Sequence, residues 1–208
     1  MLFRSTSAPF GLRPAFHPSG LDRAQALANG IQAVSTSGNV SAGYATNILK
    51  GQPVKMDTGG YIVVAAAGDA FLGAFAGVEW TDSTGRRRVS NYWPANESFQ
   101  VGSVVAYFYS DPNIVYEIQT DATMAQTAIG DEADLSNTTD GSTTTGLSQC
   151  TLGTLVGANS EAQMRVVDIA PFPDNAWGDT YVIVRAVIAQ HQYGQVRVSG
   201  TNYTPIAV

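Results

Sequence analysis

The chain has 208 residues, with 11 Lys+Arg against 17 Asp+Glu, a net charge of −6 and only 13% charged residues. So few cations exclude a protein that wraps nucleic acid, which needs many Lys and Arg contacts to phosphate, and the single Cys150 excludes an internal disulfide or a multi-cysteine metal site. The charged fraction is about half of what a soluble domain usually carries, so part of the surface is expected to be covered by partners, further copies of the chain among them.

Residues 1–30 read as an extended arm. Pro9, Pro14 and Pro18 each remove a backbone donor and bias the preceding residue to extended backbone, so no helix or central strand runs through them. Phe3, Phe10, Leu12, Phe16 and Leu21 make the arm too apolar for a free tail, and it is expected to lie in a groove of its own domain or of a neighbour. A short helix is predicted over residues 21–28, stopped by Asn29-Gly30.

From residue 31 the periodicity is that of strands, at 31–34, 44–49, 53–56, 61–65 and 70–79, divided by turn signals such as Asp57-Thr58-Gly59-Gly60 and Gly68-Asp69. Gly73 and Gly77 inside one of these strands imply bending or close backbone approach, as at the corner of a small barrel. Residues 101–109 and 114–119 flank Asp111-Pro112-Asn113 and are predicted to pair as a hairpin, with Tyr107, Tyr109 and Tyr116 on one face. Asp131-Glu132-Ala133-Asp134 reads as a solvated acidic turn, and the polar, low-complexity stretch 136–148 as a mobile surface loop. Strands resume at 150–156, 163–169 and 181–189, and residues 194–208 form a tail that adds one more edge strand. Short strands at this spacing without a helical period predict an all-β fold: a small barrel or sandwich of short antiparallel strands with extended N- and C-terminal arms. The main domain covers 31–193 and is open to subdivision near residue 120.

Residues 1–5 lack the apolar core of a signal peptide, and no apolar run approaches the roughly 18 residues of a membrane span. The expectation is a soluble chain made in the cytoplasm, with no membrane partner.

No reaction chemistry assembles along the chain. His17 and His191 are the only histidines, and no ligand spacing joins them to carboxylates, so no metal is expected. His17 is read as a tie to backbone, and His191, closing a strand in Gln190-His191-Gln192-Tyr193, as a structural or interfacial hydrogen-bonding residue. There is no nucleophile elbow, and the glycine-rich stretch 73–77 lacks a phosphate-binding lysine, so neither an enzyme, a cofactor nor a small-molecule substrate is expected. The densest positive charge is Arg86-Arg87-Arg88, followed by Val89, Tyr92, Trp93 and Pro94. Three such arginines are often no more than a solvated turn. Arg, Tyr and Trp are also the residues enriched at binding hot spots, so this segment is the leading candidate interface, with Tyr92 and Trp93 shielding the guanidinium groups. The segment Asp174-Asn175-Ala176-Trp177-Gly178-Asp179 offers an acidic and aromatic counterpart on another copy.

Several passages together resemble a known class. Residues 8–20, Ala-Pro-Phe-Gly-Leu-Arg-Pro-Ala-Phe-His-Pro-Ser-Gly, resemble the opening of small structural proteins of tailed bacteriophages. Lys50-Gly51-Gln52-Pro53-Val54, Ala67-Gly68-Asp69 and Leu72-Gly73-Ala74-Phe75-Ala76-Gly77 are similar to the turn-and-strand pattern of phage head-decoration, or capsid cement, proteins. The resemblance spans roughly residues 1–110 and 175–193, and the polar insertion at 136–148 departs from the smallest members. It implies a virion protein on the outer capsid surface, commonly a homotrimer of β domains that clamps neighbouring subunits of the major capsid protein. The interface would then comprise the arm residues Phe3, Phe10, Leu12, Arg13, Phe16 and His17 together with Arg86, Arg87, Arg88, Tyr92, Trp93 and Trp177. The alternatives are a minor tail or head-fibre protein, or a carbohydrate-binding β-sandwich using Trp80, Trp93 and Trp177 as stacking platforms.

Overall fold

The computed structural model describes residues 6–20, 24–31, 35–37, 40–157 and 160–194. Phe3, Leu21 and the tail beyond Gly194 lie outside the described residues. The protein is all-β, with antiparallel sheets packed as a sandwich and, among the described residues, no closed barrel.

In chain order the first strands are β1 (Arg13–Phe16), β2 (Gln25–Ala28), β3 (Ser35–Ser37), β4 (Val40–Ala42), β5 (Pro53–Met56), β6 (Ile62–Val64), β7 (Gly73–Thr81) and β8 (Arg87–Ser90). They are followed by β9 (Ser98–Gln100), β10 (Val105–Phe108), β11 (Val115–Gln119), β12 (Glu132–Ser136), β13 (Gly141–Ser142) and β14 (Leu147–Ser148). The last three are β15 (Thr151–Leu155), β16 (Met164–Ile169) and β17 (Ile183–Ile188). The first large sheet runs β1-β11-β17-β16-β12-β15, and the second β2-β10-β7-β5-β6 with β8 also on β7. Small sheets β3-β4-β9 and β13-β14 complete the fold.

Each large sheet has its own apolar cluster. Tyr116, Ile118, Val184, Ala186, Met164, Val166, Leu135 and Leu152 fill the first, with Leu12, Phe71 and Ala74 reaching in from elsewhere. The second holds Ile48, Val54, Ile62, Leu72, Phe75, Val78, Phe108 and an aromatic knot. In that knot Trp93 meets Trp80 and Phe99 edge to face, at 5.4 and 5.6 Å between ring centres.

Several expectations need correction. Within the described part of 21–28, residues 25–28 form strand β2, paired with β10 along its whole length, because the edge of β10 offers hydrogen-bond partners to its backbone. The predicted hairpin between 101–109 and 114–119 does not form: β10 pairs with β2 and β7, while β11 pairs with β1 and β17. The Asp111 turn is the crossing between the two sheets, so Tyr107 and Tyr116 stand on different sheets. Asp131–Asp134 is no solvated turn, since Glu132 and Ala133 sit within β12 and are buried. Residues 136–148 are docked: Lys50 N donates to Gly146 O and Ser148 N to Lys50 O, at 2.9 and 3.0 Å.

Two glycines explain how the layers close. Gly73 has φ +153°, and a Cβ there would lie 1.7 Å from Tyr109 O, so only glycine lets β7 meet the end of β10. Gly11 has φ +73°, and its bare Cα lets the arm approach Gly51, where Leu12 N donates to Gly51 O at 2.8 Å.

Four glutamine side chains join distant segments by acting as surrogate backbone amides. Gln119 accepts from Ala8 N at 2.8 Å and donates to Thr6 O at 3.0 Å. Gln52 accepts from Leu49 N and donates to Thr138 O. Gln163 accepts from Leu135 N and donates to both Ala66 O and Asp69 O. Gln192 accepts from Met56 N and donates to Met56 O. A neutral carboxamide offers both donor and acceptor, so it satisfies buried backbone without the desolvation cost of a charge.

A candidate partner-binding edge

The arginine segment begins at a turn built by one carboxylate. Asp82 Oδ1 accepts from Thr84 N, Thr84 Oγ1 and Arg86 N at 2.9, 2.6 and 3.0 Å, and Oδ2 accepts from Arg88 Nε at 2.8 Å. The Thr84 hydroxyl first, then the Arg86 backbone N–H and Arg88, hold the Asp82 carboxyl well below the usual carboxylate range. Gly85, at φ +85°, completes the turn and sends the chain back along β7 as β8.

In β8 the register with β7 is Thr81↔Arg87, Trp80↔Arg88, Glu79↔Val89 and Val78↔Ser90. Arg87 pairs with Glu79, which its guanidinium keeps below the usual carboxylate range. Arg88 and Arg87 are still 52% and 71% exposed at their side chains, so neither ion pair closes the surface. Arg86 is exposed, and no ion pair joins it to another described residue. Val89 is the most exposed large apolar residue described, at 75%. Among the described residues β8 pairs with β7 alone, so its other edge presents unpaired backbone.

Trp93 does not shield these arginines. It is fully buried, exchanging backbone hydrogen bonds with Ile48 and stacking in the aromatic knot, because Gly43 leaves space against its ring. Tyr92 is half-buried. Trp80 is likewise buried, which removes two of the three stacking platforms a carbohydrate-binding reading needs. Trp177 is half-buried and packs against the first sheet's core, in a loop where Asn175 bonds Ala170 O and Ile183 backbone.

The arm residues are occupied by the protein's own body. Leu12 is 1% exposed and belongs to the core, so it is no free interface residue. Arg13 pairs with Glu117 at 2.7 Å, with its guanidinium over Phe10 at 4.5 Å and over Phe172 at 5.7 Å. Phe16 lies under Arg185 at 5.4 Å. His17 Nδ1 accepts from Ser19 N at 2.9 Å, and its Nε2 faces Asp111 Oδ2 at 3.1 Å, which ties down the arm's end. Phe10, Leu12, Arg13 and Pro14 also line an apolar cleft of about 250 Å³ closed by Lys50, Phe75, Tyr109 and Leu147.

His191 is buried beside a bridge between Phe71 and its own backbone, with Nδ1 accepting from Tyr193 N at 3.0 Å. Burial holds its imidazole below the usual histidine range, opposed by the backbone of Leu72 and Ser110. Burial likewise pushes the Cys150 thiol far up. Among the described residues no group of three or more His, Cys, Asp or Glu is placed to hold a metal ion.

The sequence alone did not single out Asp82 or Glu117. The Asp-x-Thr-Gly pattern before the arginines is an Asx-turn signal that identifies Asp82 as their organiser. Glu117 had no such mark, because its partners Arg13 and Arg185 lie on other strands. Comparison with protein-family models, with curated proteins and with solved structures finds no match.

Proposed function

We propose that the chain is a non-enzymatic structural protein of a tailed-phage head, a cement that binds the outside of the expanded capsid and holds neighbouring major-capsid subunits. The observation that carries this reading is the concentration of three of the chain's 11 cations on one open strand edge, in a chain whose net charge is −6. An anionic protein with one cationic, partly apolar edge is suited to a protein partner of opposite local charge. The resemblance to head-decoration proteins supports the same reading, and its central passages fold as β5, β6 and β7, with β5 paired between the other two and β8 on β7.

The mechanism is mass action. A protein that binds the expanded shell and not its opened states lowers the free energy of the expanded shell, and a lattice of identical contacts multiplies a weak one. The protein would act on the virion's outer surface as a homotrimer seated at three-fold positions, after synthesis in the host cytoplasm. The arm's role differs from a free clamp: its described residues pair with the protein's own two sheets, β1 with β11 and β2 with β10, and the contact is assigned to the edge β8.

The test is co-sedimentation of the purified protein with expanded and unexpanded empty shells. Binding to expanded shells alone, with a raised shell melting temperature, is the expected result. Equal absence from both overturns the reading.

A further inference from the structure

We infer that β8 is the docking strand itself, taking an extended segment of the partner whose residues alternate between acidic and apolar. This rests on the cement reading for the partner's identity, and on the geometry of β8 for its chemistry.

The alternation follows from the two faces of the strand. Side chains along a strand point alternately to opposite faces. Arg87 and Val89 therefore share the outer face and Arg88 lies on the other, with Arg86 just before the strand. On the outer face Val89 ends a four-strand row, Ala28–Val105–Glu79–Val89, read across β2, β10, β7 and β8. An added strand would extend that row with a residue beside Val89, and an apolar side chain there covers the 75% of Val89 left open. On the opposite face the added strand meets Arg88, and at the start of β8 it passes the exposed Arg86, so carboxylates are favoured there. Each guanidinium carries five donors, so Arg88 can keep Asp82 and still donate to a second carboxylate.

Charge also excludes the simplest rival, a second copy of β8. Antiparallel self-pairing centred on Arg88 sets Arg88 against Arg88 and gathers all six arginines into one patch, and like charges directly opposite are destabilising. The three arginines thus act as a guard against self-association of this edge and as a selector for an acidic strand.

The probe is a blocked peptide of alternating Glu and Val, about eight residues long, the length of an ordinary strand, with its Lys-Val counterpart as control. Binding is read by titration and by hydrogen exchange of the amides of residues 87–90. The acidic peptide is expected to bind and to slow exchange of those amides that face away from β7, and the Lys-Val peptide to do neither. Arg86→Glu and Val89→Lys alter exposed side chains and are each expected to weaken binding about tenfold or more, with exchange elsewhere unchanged. Absence of protection at 87–90, equal protection by both peptides, or unchanged binding by both variants overturns the inference. Shells that fail to bind while the acidic peptide still protects 87–90 remove the cement reading and leave this edge standing. Shells that bind while the peptide does not protect it remove the edge and leave the cement reading.

Discussion

The two large sheets spend their charge in opposite ways. Across the outer face of the first, the register sets Arg13, Glu117, Arg185 and Asp168 side by side on β1, β11, β17 and β16, alternating in sign, with Arg165 paired to Glu132 at 2.6 Å further along. Across the second, the equivalent row is Ala28, Val105, Glu79 and Val89, with a single charge. The first face is complete in itself: its cations meet carboxylates and phenylalanine rings within the chain. The second face ends at an open strand whose cations are only partly used. A surface whose valencies are satisfied internally needs no partner, and one whose valencies are left over at an edge is where a partner gains most.

The comparison breaks most visibly through the aromatic knot of the second sheet. If its large aromatics are interior, Trp93→Ala should cost about 3–5 kcal/mol in urea denaturation, the usual range for emptying such a site. A loss under about 1 kcal/mol would return Trp93 to the surface and to the interface. A finer contrast sets Arg13 against Arg86. Arg13→Ala strips Glu117 of its closer partner and leaves two phenylalanine rings bare, for about 1 kcal/mol after allowing for the half-exposed arginine. Arg86→Ala should stay within about 0.5 kcal/mol, as expected of an exposed side chain with no ion pair to another described residue. Equal losses would mean that the two faces use charge alike.

The smallest effect is one of pH and tests the seam between the sheets. The folded protein holds His191 below its unfolded pKa of 6.5, so the unfolded chain binds more protons between the two values. The stability that His191 contributes is therefore present above about 6.5 and is lost as pH falls below it. Denaturant midpoints measured between pH 7.5 and 5.5 should decline with falling pH, and His191→Gln should flatten that slope. An unchanged slope in the variant assigns the decline to other groups.

Much of the fold was legible because the strand signals are local. The pair β5 and β6 follows from Asp57-Thr58-Gly59-Gly60 between two apolar runs, and β16 and β17 from runs rich in valine and isoleucine. The errors came where a neighbour decides. Residues 25–28 have helix-forming composition, yet the open edge of β10 draws them into a strand. Residues 101–119 looked like a hairpin because a Pro-Asn turn stands between two apolar runs, but that turn crosses from one sheet to the other. The candidate edge was half visible: three successive arginines announce themselves, whereas the burial of Trp93 depends on Gly43, fifty residues earlier, leaving its ring a berth.

The amide clasps have a consequence for how the fold responds to salt and pH. A charged link across a seam weakens as salt rises or as its carboxylate is protonated, whereas a carboxamide neither titrates in the ordinary range nor attracts counter-ions. Gln119 fastens the arm, Gln163 spans from the strap at Ala66 and Asp69 to β12, and Gln192 binds β5 to the chain's last described turn. These amide clasps are thus indifferent to dilution, brine and acid, whereas the ion pairs respond to salt and the buried His191 at the seam to acid.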